Sequence, residues 1–580
     1  MTYHFATCAR LLLVGLFAVC VSSTQINAAS HPPLATPHGV VASDNVDASR
    51  VGASILDAGG NAIDAAIATA LALGVVSPTS SGIGGGGFAV VYDAKNKVVR
   101  IFDFREVAPA KLSTKSFVRN GKLDPSLSRF GGLAVGVPGE IAGLSKLRKE
   151  FGRLPWQQLV QPAADLARKG FAASYHFARA AAIVVGFLGP EKLLSKWLSP
   201  KGKIIERGDF VRRTRLAKAL ESIGEKGPEV FYRGWVAEDI VNTTQLYGGV
   251  LTMEDLDSYK VIERKPLRGD WGKYEVVTMP IPSSGGLVLL AMLGMLDAGG
   301  WNLPEMKRED SGTIHLLAEV LKHAFSDRAR YLGGETSSEL SKRFLSKSRL
   351  KKLAQKISKR KTQKSESYGD TTLPDVAPPK NDNGTSHLCV VDSEGNAVAL
   401  TTTVNGYFGS GVLSHQSGIV LNNEIDDFAL TAGGKNMFGL VQSKANLVGP
   451  GKRPLSSMTP TLVFENGNVI ACAGASGGPR IISGTFQALL NALVWGLDAE
   501  AAVSVPRIHH QWLPDKLLAE KEVSTEVRNK LRRKGHKVET LDSITAVQMI
   551  IVDEKGRKQA SSDPRTVSYT HLTLPTICSV

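Results

Sequence analysis

Asn383-Gly384-Thr385-Ser386-His387-Leu388-Cys389-Val390-Val391-Asp392 is followed by Ser393-Glu394-Gly395-Asn396 and then by Ala397-Val398-Ala399-Leu400-Thr401-Thr402-Thr403. Turn residues between two β-rich runs predict an antiparallel hairpin. Its first strand begins abruptly. The preceding stretch, Ser365 to Asn383, is rich in Pro, Asp and Ser and has no periodicity. It predicts an exposed loop of about twenty residues, and a loop that long inside a compact chain is usually functional or a processing site.

Downstream, two further strands (Thr461–Phe464 and Val469–Ala473) run into Gly474-Ala475-Ser476-Gly477-Gly478-Pro479 and a helix from Ile481 to Val494. That turn matches the G-x-S-x-G elbow of serine hydrolases, with Asp498 and His509 or His510 following in the required order. The surrounding pattern, however, is one of antiparallel hairpins rather than alternating parallel strands and helices. Upstream, residues 47–75 predict two helices divided by Gly59-Gly60. Strands Phe88–Tyr92 and Val98–Phe104 follow, with helical patterns at Ala134–Leu220 and Leu287–Leu332. Gly84–Gly87 lacks the Lys-Ser/Thr of a phosphate loop and is read as backbone packed tightly against a strand.

The 580 residues are 43% hydrophobic and 21% charged, which excludes a disordered chain, a collagen and a multi-span membrane protein. The formal charge is +15, but eleven Lys/Arg between Lys342 and Lys364 supply most of it and leave +4 elsewhere. That run is read as a solvated helix and linker, not as a nucleic-acid site. Residues 1–29 combine one Arg, a short apolar run at Leu11–Val21 and small residues. They are read as a secretory signal, implying a periplasmic or secreted protein with no stable membrane span. Residues 567–580 are read as a non-native tail. Of five cysteines, only Cys389 and Cys472 fall outside these ends; with no C-x-x-C spacing they are expected to be buried free thiols, and no metal site is expected.

A wider constellation resembles the γ-glutamyltranspeptidases. It comprises Asp103-Phe104-Arg105-Glu106-Val107-Ala108-Pro109-Ala110, Pro280-Ile281-Pro282-Ser283-Ser284-Gly285-Gly286, Thr385-Ser386-His387, Asn422-Asn423-Glu424-Ile425-Asp426-Asp427-Phe428, Arg453-Pro454-Leu455-Ser456-Ser457-Met458, Gly477-Gly478-Pro479-Arg480-Ile481 and Pro506-Arg507-Ile508-His509-His510-Gln511-Trp512. The resemblance spans about residues 38 to 565. It implies an α+β fold of the N-terminal nucleophile hydrolase type, a four-layer αββα sandwich. One fold would be formed by a large subunit (30–384) and a small subunit (385–566), after self-cleavage at Gly384–Thr385. No cofactor and no metal are implied.

The roles implied are specific. Thr385 would be nucleophile and, through its freed α-amine, base. Thr403 would contact the nucleophile, and Gly477 and Gly478 would donate N–H groups to the oxyanion. Arg105 would pair with the α-carboxylate of a γ-glutamyl donor such as glutathione, aided by Ser456 and Ser457. Glu424 and Asp427, with Asn405, would hold the ammonium. Water, or an amino acid or peptide amine, would accept the group. Asp427 favours γ-glutamyl over the glutaryl substrates of cephalosporin acylase-like amidases, and Arg105 argues against the poly-γ-glutamate-anchoring branch. At the lid, Ala429 to Ser443, Phe438 stands where many bacterial relatives carry a tyrosine bonded to the asparagine at Asn405, which predicts a looser lid. The rivals are a Ser476 hydrolase and a basic extracellular binding protein using Lys342–Lys364.

Overall fold

The computed structural model describes residues 34–189, 191–369 and 384–566. The signal and tail readings, and most of the polar stretch 365–383, lie outside the described residues. Two six-stranded sheets form the centre. The first has the order β1 (Val40–Ser43), β7 (Gly384–Val391), β8 (Ala397–Asn405), β2 (Gly86–Asp93), β3 (Val98–Phe104) and β4 (Ile262–Arg264). The second has the order β12 (Lys558–Ser562), β11 (Ala546–Val552), β10 (Asn468–Ser476), β9 (Thr461–Glu465), β6 (Tyr274–Thr278) and β5 (Leu267–Trp271). Every pairing within both sheets is antiparallel.

The sheets pack face to face through β7, β8, β10 and β11. The helix pair α1 (Val46–Asp57) and α2 (Ala62–Val76) covers the outer face of the first sheet; α3 (Gly285–Ala298) and α5 (Arg480–Leu493) cover the second, with α4 (Ser311–Tyr331) packed on α3. This is the αββα sandwich. Its strands are apolar on both faces because both are covered: Phe88, Val90, Cys389 and Ala399 enter one core cluster, while Ala89, Val91, Leu388 and Val398 enter the other. α2 starts in a capping box of Asn61 and Asp64 and is buried along its whole length, so its apolar run needs no polar face.

The predicted hairpin is β7 and β8, with a register shift between Gly384 and Ser386. Bulges bend a strand and re-aim its side chains, and this one falls at Thr385. Gly84–Gly87 behave as expected: a Cβ on Gly85 would lie 1.9 Å from the Thr403 carbonyl oxygen. In the basic run, two short helices (Ser338–Phe344 and Lys347–Lys356) bury Phe344, Leu350 and Leu353 and expose most of their lysines, as a solvated face does.

The free-thiol expectation is corrected. Cys389 on β7 and Cys472 on β10 form a disulfide, with Cα atoms 5.9 Å apart. Their separation of 83 residues hides the pairing in the sequence, but the strands face each other across the sandwich. Among the described residues no helix is long and apolar enough to cross a membrane.

Candidate functional site

The site lies where the bulged end of the β7–β8 hairpin meets three loops. Thr385 is buried, and its hydroxyl donates to the Gly384 carbonyl oxygen at 2.7 Å. Thr403 Oγ1 donates to the same oxygen at 2.8 Å and lies 3.1 Å from Thr385 Oγ1. The amide of Asn405 donates to Thr403 Oγ1 at 2.8 Å and holds that hydroxyl in place. The Gly384 carbonyl therefore receives two hydroxyl donors, which withdraw electron density from its carbon. Asn405 adopts φ +72° and donates its side-chain amide to the Asn423 carbonyl.

Gly477 and Gly478, at φ +116° and +57°, form the turn between β10 and α5. The helix N-terminus adds positive potential there. Thr385, Ser386, Ser476 and Gly477 line one small polar cavity of about 60 Å³. Neither downstream histidine pairs with Ser476: its hydroxyl donates to the Ala546 carbonyl at 3.5 Å, while His509 bonds Ser483 and His510 faces Asp515. The elbow motif is explained by a tight turn at the end of a β-strand.

Glu424 and Asp427 lie on one 3₁₀ turn, Glu424–Asp427. Side chains at i and i+3 eclipse in such a turn, so both carboxylates project together. Both reach Arg105, which follows directly on β3: Nη1 pairs with Glu424, and Nη2 with Asp427 at 2.6 Å. Arg105 Nε donates to the Pro454 carbonyl at 3.4 Å. Arg105 and the two carboxylates thus form one buried cluster, since buried charges without counter-charges are costly.

Ser456 and Ser457 sit on the loop before β9, held by Pro282-Ser283-Ser284. Ser456 N donates to the Pro282 carbonyl at 2.8 Å, and Ser284 N and Oγ both donate to the Ser456 carbonyl. Ser456 Oγ accepts from Met458 N at 3.1 Å. The loop 429–448 closes on itself and over the turn glycines. Asn436 donates to Asp427 at 2.9 Å, Met437 N donates to Asp426 at 2.6 Å, and Phe438 is buried against Gly478. The Asn405 amide meets Met437 Sδ at 3.9 Å. A thioether is a weak acceptor, so this loop is held instead by Asn436, by Asp426, and by Gln442 and Asn446, which both donate to the Asp427 carbonyl.

Two buried carboxyl groups had no role in the sequence reading. Glu106 adjoins Arg105 and is pushed up to about 7 by burial. Glu140 accepts from Thr402 Oγ1 at 2.8 Å, and burial pushes it from 4.5 up to about 8. No motif marks Glu140; only the fold buries it behind the hairpin. Such a group binds its proton more tightly folded than unfolded. Its stabilisation is full below about pH 4.5 and is lost as pH rises through about 8. Glu106 acts with the same sign. Melting temperature is expected to fall between pH 5 and 9, and Glu140→Gln to flatten that fall; an unchanged slope in the variant removes Glu140 as its source.

The family model of the gamma-glutamyltranspeptidases matches residues 48–572. The chain is 39% identical over 538 residues to a glutathione hydrolase proenzyme of Escherichia coli (strain K12), with 92% of each chain covered. Among solved structures, a cephalosporin acylase from Bacillus halodurans superposes with TM-score 0.80 at 28% identity, covering 92% of this chain and 96% of that one. A Helicobacter pylori gamma-glutamyltranspeptidase chain superposes with TM-score 0.53 at 36% identity, covering 56% of this chain and 93% of that one.

Proposed function

The chain belongs to the gamma-glutamyltranspeptidase family, and from that membership we propose that it transfers the γ-glutamyl group of glutathione and related amides to water or to an amine. It is an enzyme of the N-terminal nucleophile hydrolase type. The observation that carries the reading is the pair of threonine hydroxyls on the Gly384 carbonyl, beside buried Arg105, Glu424 and Asp427.

The first reaction is on the chain itself. Thr385 Oγ attacks the Gly384 carbonyl carbon, the C–N bond to Thr385 breaks, and an ester forms while the nitrogen gains a proton. Water hydrolyses the ester and leaves a Gly384 carboxylate and a free Thr385 α-amine. With a reference pKa of about 7.7–8.0, that amine is well matched to act as base near neutrality. The 60 Å³ cavity against Thr385 has room for a relaying water, which needs about 10–15 Å³.

In turnover the amine takes the Thr385 hydroxyl proton as Oγ attacks the donor's γ-amide carbon. The Gly477 and Gly478 amides receive the oxyanion. The leaving amine takes the proton, and a γ-glutamyl ester of Thr385 remains. Water then gives glutamate, or an acceptor amine gives a new γ-glutamyl amide. The buried charged cluster supports a zwitterionic head group: Glu424 and Asp427 exchange part of Arg105 for the donor's ammonium, and Arg105 turns toward its α-carboxylate. The disulfide supports an oxidising compartment, in keeping with the exported location expected from residues 1–29.

The likeness to a cephalosporin acylase makes the acyl group the point to test. Purified enzyme is assayed on γ-glutamyl-p-nitroanilide and on glutaryl-p-nitroanilide, which lacks the ammonium. At least about hundredfold preference for γ-glutamyl is expected, the value of one buried charge-assisted contact. Equal or reversed preference would refute the γ-glutamyl reading.

A further inference from the structure

Arg328, near the C-terminal end of α4, was not marked by any motif considered above. It is fully buried, 1% exposed, at the same loop as Ser457. Nε donates to Ser284 Oγ at 2.9 Å and Nη2 donates to Ser457 Oγ at 3.3 Å. Nη1 is buried without a hydrogen-bond partner. Burial lowers its pKa to about 10, with Asp427 the charge that offsets this, so it stays cationic at neutral pH.

Two features give this arrangement a purpose. A hydroxyl has one proton to donate and two lone pairs. Ser457 Oγ accepts from Arg328, and Ser456 Oγ accepts from Met458 N. Both serines therefore have their protons to give, and a carboxylate is the ligand that accepts from both. The second feature is charge. Arg105 faces two carboxylates, Glu424 and Asp427, so a donor carboxylate entering beside that trio meets no surplus of positive charge. Arg328 is a guanidinium on the serine side of the site, with one nitrogen in excess of its contacts.

We propose that Arg328 is a positioning residue for the donor's α-carboxylate: it orients the Ser457 hydroxyl as a donor and supplies the positive charge that Arg105 shares with Glu424 and Asp427. The proposal rests on the γ-glutamyl reading of the donor. It assigns Ser284 a part as well, since that hydroxyl receives Arg328 Nε and donates to the Ser456 carbonyl.

The test compares wild type, Arg328→Lys and Arg328→Gln on two anilides, γ-glutamyl-p-nitroanilide and γ-aminobutyryl-p-nitroanilide, which lacks only the α-carboxylate. Self-cleavage is followed on gels. For Arg328→Gln, KM for the γ-glutamyl donor is expected to rise about tenfold or more, with a smaller change in kcat. kcat/KM for the carboxylate-free donor is expected to stay within about twofold, and Arg328→Lys to recover part of the loss. Equal losses on both donors, or an unchanged KM for the γ-glutamyl donor, overturn the proposal. If Arg328→Gln is not self-cleaved, Arg328→Lys decides by the same comparison of donors. If neither variant is cleaved, Arg328 is a folding residue and the proposal fails. Wild type inactive on γ-glutamyl-p-nitroanilide refutes the functional reading instead.

Discussion

Thr385→Ala is expected to accumulate as one uncut chain with no turnover of γ-glutamyl-p-nitroanilide. Wild type is expected to give two bands, the smaller holding residues 385–580, or 196 of 580, about 21 kDa of the 62.0 kDa chain. Both effects have one cause. The hydroxyl that would attack the Gly384 carbonyl is the hydroxyl that would attack the donor, and the base exists only after the Gly384–Thr385 bond is cut. Loss of an activated nucleophile costs on the order of 10⁴-fold or more in kcat. Thr403→Ala separates the two donors to the carbonyl. It retains the nucleophile but removes one of the two hydroxyls on the Gly384 oxygen. Cleavage slowed by about 10²-fold is expected, the usual value of one such donor. A Thr385→Ala chain that still gives two bands and turns over donor would remove Thr385 from both roles. Loss of activity with Ser476→Ala, together with unchanged activity in Thr385→Ala, would return the elbow reading.

Arg105→Gln carries the second large effect. The guanidinium is the shared partner of Glu424 and Asp427, all of them buried. Removing it leaves two carboxylates facing one another without a counter-charge. Breaking a buried pair from one side costs about 3–5 kcal/mol. That cost falls on stability; for turnover, loss of the charge-assisted contact proposed for the donor's carboxylate is expected to lower kcat/KM by at least about 10²-fold. Part of the cost is relieved by proton uptake, since burial already holds Glu424 well above its ordinary range. The loss on γ-glutamyl-p-nitroanilide is therefore expected to be larger at pH 9 than at pH 6, where the pair is more readily protonated. A loss below about tenfold, flat with pH, would show that Arg105 neither balances the carboxylates nor meets the donor. Asp427→Asn gives the complementary case: Arg105 retains Glu424, and the defect is expected mainly in KM.

Much of the architecture was legible in local pattern. The strand pair around Ser393–Asn396, the two helices before Ser77 and the strand–turn–helix at Gly474–Pro479 all follow from β-rich runs, apolar runs and glycine placement. The αββα class came instead from the family resemblance. The site residues came from the same resemblance. Spacing by itself marks Glu424 and Asp427, three residues apart, and the adjacent Ser456 and Ser457 only as turn residues. Two long-range partnerships carried no local mark. Cys389 and Cys472 looked like two unrelated thiols because 83 residues separate strands that face each other. Arg328 looked like one helix residue among many; its meaning comes from loops 44 and 129 residues away.

By itself, the sequence determined the hairpin, the threonine at its start, and the confinement of surplus charge to one solvated segment. These are local properties, set by side-chain chemistry and spacing along a few residues. The tertiary structure decided three further things. It placed Thr385 at a bulge where two hydroxyls converge on one carbonyl. It closed Arg105 onto its two carboxylates and brought Arg328 to the serine loop. It joined the sheets through the disulfide. All three are consequences of burial: once water is excluded, each polar group must find its partner wherever the chain has brought one.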